Sequence, residues 1–208
     1  MRKKGEGFTL IELMVVIAII AIFASITMPM LAGIMMGSNI TRAGDMIADN
    51  LKAAHMYAIA HNKDIEVRFY SYTSPTQAQG SPPTFRALQL LEVTPDDQGN
   101  KSYKMLTRLI SMPPGTQMLH SVGTTIYSNL LESSQQPTPM DAKPIPAIGN
   151  VNYTYTCFLM RANGGTDLTP GTVYYITVAK DVQTVDAPVN FYTIQIDPIN
   201  SKVVELRP

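Results

Sequence analysis

Cys157 is the chain's one cysteine, so no intrachain disulfide and no cysteine-based metal cluster can be built. Tryptophan is absent, and only 15% of residues are charged, with 16 Lys plus Arg set against 16 Asp plus Glu. That balance excludes the broad basic field of a nucleic-acid binder and offers no pull on an acidic substrate. Catalytic motifs are missing too: there is no Gly-x-Ser-x-Gly, no phosphate-binding loop and no dinucleotide fingerprint. Of the three histidines, His55, His61 and His120, the first two stand six apart. That is about 240° around a helix, so they do not share a ligand as an i, i+4 pair does. No enzyme activity, no cofactor and no metal are therefore expected. What the chain has in quantity is apolar, 45% of 208 residues, enough for one globular domain with a real core plus an accessory segment.

The apolar residues crowd the N-terminus. Arg2, Lys3 and Lys4 make a positive head, and from Phe8 the chain reads Phe-Thr-Leu-Ile-Glu-Leu-Met-Val-Val-Ile-Ala-Ile-Ile-Ala-Ile-Phe-Ala24. After Glu12 the next charge is Arg42, which leaves 29 uncharged positions at 13–41. As a helix they extend about 43 Å against a hydrocarbon core of about 30 Å. Such a segment crosses a membrane, with the basic head cytoplasmic and the chain beyond the span exported. A cleavable secretory signal has a shorter apolar region and an Ala-x-Ala type site, whereas here the alanines at 18, 21 and 24 are spaced by three. A plain anchor leaves two details unexplained. Glu12 is an acid near the start of an apolar run, where burial without a partner is costly. Gly7 stands directly between head and run.

These residues carry a resemblance. Lys4-Gly5-Glu6-Gly7-Phe8-Thr9-Leu10-Ile11-Glu12-Leu13 resembles the class III signal of type IV pilins and type II secretion pseudopilins. The resemblance implies cleavage by a prepilin peptidase between Gly7 and Phe8 and N-methylation of Phe8, with the apolar run kept in the mature chain. It places the family's glutamate on Glu12 and its helix-bending proline on Pro29. The helical glycine of many major pilins is Ala21 here, so helix melting during assembly is not carried over. Its partners would be other pilin or pseudopilin subunits, the peptidase and an inner-membrane assembly platform. The site would be the bacterial inner membrane, crossed once, with the C-terminal domain outside the cytoplasm and a periplasmic or surface filament after assembly.

The chemistry of Glu12 stands beside that resemblance. Cleavage creates an α-ammonium on Phe8 in hydrocarbon, and a neighbouring subunit's carboxylate at the same depth neutralises it. Desolvation largely cancels the Coulomb gain, so the pair fixes axial register better than it adds stability. An isolated Glu12 would instead snorkel or hold a proton.

Beyond the run, Ile40, Ile47, Leu51, Ala54 and Ala58 fall on one helical face, with Arg42, Asp45, Asp49 and Lys52 between them. The helix therefore continues out of the membrane, bent at Pro29, and stops at Asn62-Lys63-Asp64. Gly33 and Gly37 form a Gly-x-x-x-Gly pair that either allows close helix packing or merely loosens the helix. From Ile65 the period changes to two, and Ile65–Tyr70 reads as a strand, with a further candidate at Phe85–Val93. Tyr103–Ile110 is ambiguous between strand and short helix. Strands are also expected at Asn152–Arg161, Thr172–Ala179, Phe191–Ile196 and Lys202–Leu206, the last two as a hairpin.

The expected layout is a leader at 1–7, a transmembrane segment at 8–31, an amphipathic continuation at 32–62 and a β-rich domain at 63–208 with a loop at 133–149. The class is α+β, a long N-terminal helix packed on an antiparallel sheet. It resembles the GspH/FimT branch of the pseudopilins, and residues 190–208 resemble the end of the family named Verru_Chthon cassette protein D. The reading is a structural subunit, a minor pseudopilin of a type II secretion or type IV pilus-like filament. The alternatives are a FimT-like minor pilin that binds DNA and a stand-alone membrane-tethered module. From residue 40 onward, 13 Lys plus Arg face 14 Asp plus Glu, so a DNA-binding tail has no net charge to support it. Asp96-Asp97 and Asp167 lie in turns but lack the spacing of a calcium loop, and Cys157 reads as a small core residue.

Overall fold

Residues Leu10–His61 form one helix, α1, in a computed structural model that describes residues 9–74, 77, 80–95, 97–121, 125–132, 138–139, 152–181 and 188–207. By internal contacts the chain divides into two units, Met1–Ser38 and Asn39–Pro208. The first consists, where described, of the leading part of α1. Its stretch Leu10–Thr27 is long and apolar enough to cross a membrane, and none of it is buried. Two polar side chains in this part are satisfied locally. The Ser25 hydroxyl donates to the Ile22 carbonyl at 2.7 Å and the Thr27 hydroxyl to the Phe23 carbonyl at 3.0 Å, as hydroxyls in an apolar surrounding must.

The second unit begins with the rest of α1. Ile40, Ile47, Leu51, Ala54 and Ala58, the stripe that the periodicity predicts, are all buried, as are Ala43 and Ala48, while Arg42, Asp45, Asp49 and Lys52 are exposed. The helix ends where expected: Asn62 takes φ 51°, and the Lys63 N–H donates to the Ala58 carbonyl at 3.1 Å, a left-handed cap that asparagine tolerates.

The strands are β1 (Asp64–Tyr72), β2 (Thr84–Pro95), β3 (Lys101–Met105), β4 (Ile110–Ser111), β5 (Thr116–Met118), β6 (Thr138–Pro139), β7 (Tyr153–Met160), β8 (Tyr174–Lys180), β9 (Phe191–Ile196) and β10 (Val203–Leu206), with a short helix α2 (Asn129–Glu132) before β6. They form one sheet in the order β10-β9-β8-β5-β2-β1-β7-β6, with β3 and β4 also paired to β2. Every pairing is antiparallel. The α+β class, a long helix followed by an antiparallel sheet domain, is what the sequence predicts. The hairpin of β9 and β10 is there too, with Val203 opposite Ile196.

Three details differ from the sequence reading. The ambiguous stretch 103–110 is neither one strand nor a helix: β3 ends at Met105 and β4 starts at Ile110. Within 133–149, Thr138 and Pro139 pair with Tyr155 and Thr154 of β7; the rest of that expected loop lies outside the described residues. The alternation in β1 marks a strand, but both of its faces are buried. Ile65, Val67 and Phe69 line one face, with Phe69 stacked on Phe158 of β7 at 6.3 Å between centroids. Glu66 and Arg68, on the other, are 5% and 3% exposed. The Arg68 Nε donates to Glu66, and its guanidinium lies 4.6 Å from the ring centroids of both Tyr103 and Tyr155. Nearby, the Tyr70 hydroxyl donates to Gln89 at 2.9 Å, and Gln89 donates to the Thr107 carbonyl at 3.1 Å. Burial pushes the Tyr70 phenol up to about 12.

Candidate functional site

The polar groups at the head of α1 close on themselves. Thr9 is the residue before the helix and Glu12 is the third residue inside it. The Glu12 Oε2 accepts the Thr9 backbone N–H at 2.8 Å and the Thr9 hydroxyl at 2.8 Å, while the Glu12 N–H donates to the Thr9 Oγ1 at 3.3 Å. This reciprocal exchange is a capping box, which satisfies backbone donors that a helix start leaves without partners. The carboxylate also lies against the positive end of the helix dipole. Glu12 is thus held at a fixed place on an otherwise apolar surface, beside a shallow concavity formed with Ile11, Val15 and Val16. Its signal was present in the letters Thr9-Leu-Ile-Glu12, a threonine three before an acid at the start of an apolar run. A reading of Glu12 as a register group alone passes over it.

This geometry makes Thr9 a positioning residue for the Glu12 carboxylate. A Thr9→Ala chain should lose about 1 kcal/mol at the helix start. In hydrogen exchange of the detergent-solubilised protein, the Leu10–Leu13 amides should then exchange roughly fivefold faster. Unchanged protection there would show that the box does not hold the first turn.

Of the other expected site residues, Gly7 and Phe8 lie outside the described residues. α1 is helical through Pro29, a residue with no N–H to donate. His61 and His120 are exposed, and His55 is half-buried with its Nδ1 buried and unpartnered. Cys157 is half-buried in β7, and burial pushes its thiol up to about 12, so it is not a reactive thiolate. Asp167 is used structurally: its Oδ1 accepts the Leu159 N–H at 2.7 Å. Among the described residues, no group of three or more His, Cys, Asp or Glu could hold a metal ion.

A second polar cluster, which sequence periodicity does not reveal, joins α1 to the C-terminal hairpin. The Tyr192 hydroxyl lies 2.9 Å from the Asp45 Oδ1 and 2.8 Å from the Glu205 Oε2, and the Lys52 Nζ is bonded to the Glu205 Oε1. The Tyr192 ring crosses the helix at Gly44, where an added Cβ would come within 2.4 Å of ring carbons. Only glycine allows that approach. Hydrogen bonds from Lys52 and Tyr192 hold the Glu205 carboxyl below the usual carboxylate range. Burial, with the two carboxylates, pushes the Tyr192 phenol up.

Comparison with known proteins points to the N-terminus. Residues 2–28 match the prokaryotic N-terminal methylation motif. Over 72 residues the chain is 40% identical to the type IV wide pilus major component PilA4 of Thermus thermophilus, a match covering 35% of this chain and 49% of that protein. The chain thus spans about half the length of the curated relative it matches. Two solved structures of the minor pseudopilin EpsH from the type 2 secretion system of Vibrio cholerae align at TM-scores of 0.44 and 0.45, each 13% identical. They cover 82% and 83% of this chain and 98% and 96% of those chains. That likeness is too loose to carry a conclusion.

Proposed function

We propose, from the match of residues 2–28 to the N-terminal methylation motif and the 40% identity over 72 residues to a type IV pilus component, that the chain is a minor pseudopilin of a type II secretion or type IV pilus-like filament. In this reading it is inserted in the inner membrane through α1, cut between Gly7 and Phe8 and N-methylated on Phe8. Glu12 then sets axial register against the Phe8 amine of a neighbouring subunit, and Pro29 bends the helix where it leaves the membrane. The observation that carries this is a single carboxylate held at the head of an exposed apolar helix, inside the methylation motif. Only one of its oxygens, Oε2, is engaged by Thr9, which leaves Oε1 to meet an amine. Assembly transfers the helix from lipid to a bundle of like helices, where an unpaired ammonium is costly.

The experiment is crosslinking in membranes of cells that hold the assembly machine, followed by copurification with other prepilin-like subunits. Recovery in a complex with such subunits supports the reading. Recovery as a lone membrane protein, under conditions in which the other subunits crosslink to one another, favours a stand-alone tethered module.

A further inference from the structure

We propose that the outer edge of β3 is a docking strand for an acidic, extended segment of another protein, which adds to the sheet beside β3. Strand order and bonding direction motivate it. Among the described residues β3 pairs with β2 alone, from Lys101 opposite Pro95 to Met105 opposite Leu91. The Leu106 N–H donates to the Leu90 carbonyl at 3.0 Å, and bonding direction alternates along an antiparallel strand. The backbone groups of Ser102 and Lys104 therefore point at β2, while those of Lys101, Tyr103 and Met105 point away from it.

Sheet edges are ordinarily blunted by charge, by proline or by a covering element. On β3 charge stands alone, beside apolar groups: all five side chains are exposed, with Met105 at 72% and Tyr103 at 45%. Tyr103 is nevertheless anchored, since the buried Arg68 places its guanidinium 4.6 Å from the ring centroid. The edge thus combines outward main-chain groups with fixed side-chain sites. Strand addition uses the first for affinity and the second for specificity.

Charge selects the occupant. Lys101, Lys104 and, just past the strand, Arg108 are exposed. The acids nearby are Asp97, in the turn before β3, and Glu92 of β2, which lies 4.0 Å from the Lys104 Nζ and has a side chain only 12% exposed. A second copy of β3 would crowd the lysines of both chains onto one ribbon, and like charges across a strand pair are unfavourable. A segment with acids opposite Lys101 and Lys104 and apolar residues opposite Tyr103 and Met105 complements all four. In antiparallel order that pattern reads Val-Glu-Val-Thr-Glu.

The test titrates the full-length protein, in neutral detergent at low salt, with a capped Val-Glu-Val-Thr-Glu-Val peptide and with the same peptide carrying Lys for Glu. The glutamate peptide should bind about tenfold tighter or better, and a Lys101→Glu, Lys104→Glu double variant should reverse the preference. Hydrogen exchange reads the geometry. Bound glutamate peptide should slow the Tyr103 and Met105 amides roughly tenfold and leave the Ser102 and Lys104 amides, already turned to β2, unchanged. Met105→Pro removes an outward N–H but no bond to β2, so it should weaken binding about fivefold without moving Tm. The proposal is overturned by equal binding of the two peptides, by binding that leaves the Tyr103 and Met105 amides unprotected, or by a preference that survives charge reversal. A dimer that forms in the absence of peptide and is lost in Met105→Pro would also overturn it, by making a second copy the occupant.

Discussion

Arg68→Ala should lower the unfolding free energy of the globular unit by about 3–5 kcal/mol, the cost of leaving one partner of a buried ion pair alone. Glu66 and Arg68 are 5% and 3% exposed, so the Glu66 carboxyl would be left without its buried partner and with little access to water. The substitution also removes the guanidinium that lies 4.6 Å from the ring centroids of Tyr103 and Tyr155, a packing contact as well as a cation–π one. Burial works against the charged guanidinium, and the adjacent Glu66 outweighs it. Chemical denaturation of the detergent-solubilised protein measures the loss. A Glu66→Met, Arg68→Met double variant should recover most of it, because apolar groups of similar volume replace such pairs at little cost. A loss below about 1 kcal/mol in the single variant would mean that the pair is wet.

Glu12→Val should abolish assembly while leaving the fold intact. The span only becomes more apolar, and residues 39–208 form their own compact unit, so membrane insertion and the unfolding of the globular unit should match the parent. A penalty of about 1.4 kcal/mol for a Phe8 ammonium without a partner is already enough to cut incorporation tenfold, and in a bundle of apolar helices the penalty is larger. The variant also loses the bonds from Thr9, so Thr9→Ala, which disrupts the cap but keeps the carboxylate, is the necessary comparison. Glu12→Gln keeps size and hydrogen bonding without charge and separates neutralisation from polarity. The readout is crosslinking to partner subunits at matched expression. Incorporation of the Val variant at the parent's efficiency would make Glu12 a bystander.

Which features could be read from the letters depends on the range of the interactions behind them. The buried stripe from Ile40 to Ala58 comes from one helix burying one face, so its period shows in a short window. Asn62 stops that helix through its own backbone tolerance, again a local matter. The capping box spans Thr9 to Glu12 and is equally local, since the Glu12 carboxylate accepts from the Thr9 N–H three residues before it. Glu66 and Arg68 mislead because alternation reports a strand and not what covers it. Tyr103 of β3 and Tyr155 of β7 reach Arg68 from distant parts of the sequence. The short strands β4, β5 and β6 have too few residues to show a period. Gly44 looks like any glycine in a helix until Tyr192 is laid across it, a contact between residues at opposite ends of the globular unit.

Processing at Gly7-Phe8 is the claim on which membrane retention, the free amine and the role of Glu12 all rest. Intact-mass measurement of the protein extracted from membranes of cells carrying a prepilin peptidase tests it directly. The expected product lacks residues 1–7, begins at Phe8 and is heavier by one methyl group, while the same gene in cells without the peptidase yields the uncut chain. Retention of Met1 through Gly7 in the presence of the active peptidase, or a cut anywhere after Glu12, would contradict the account.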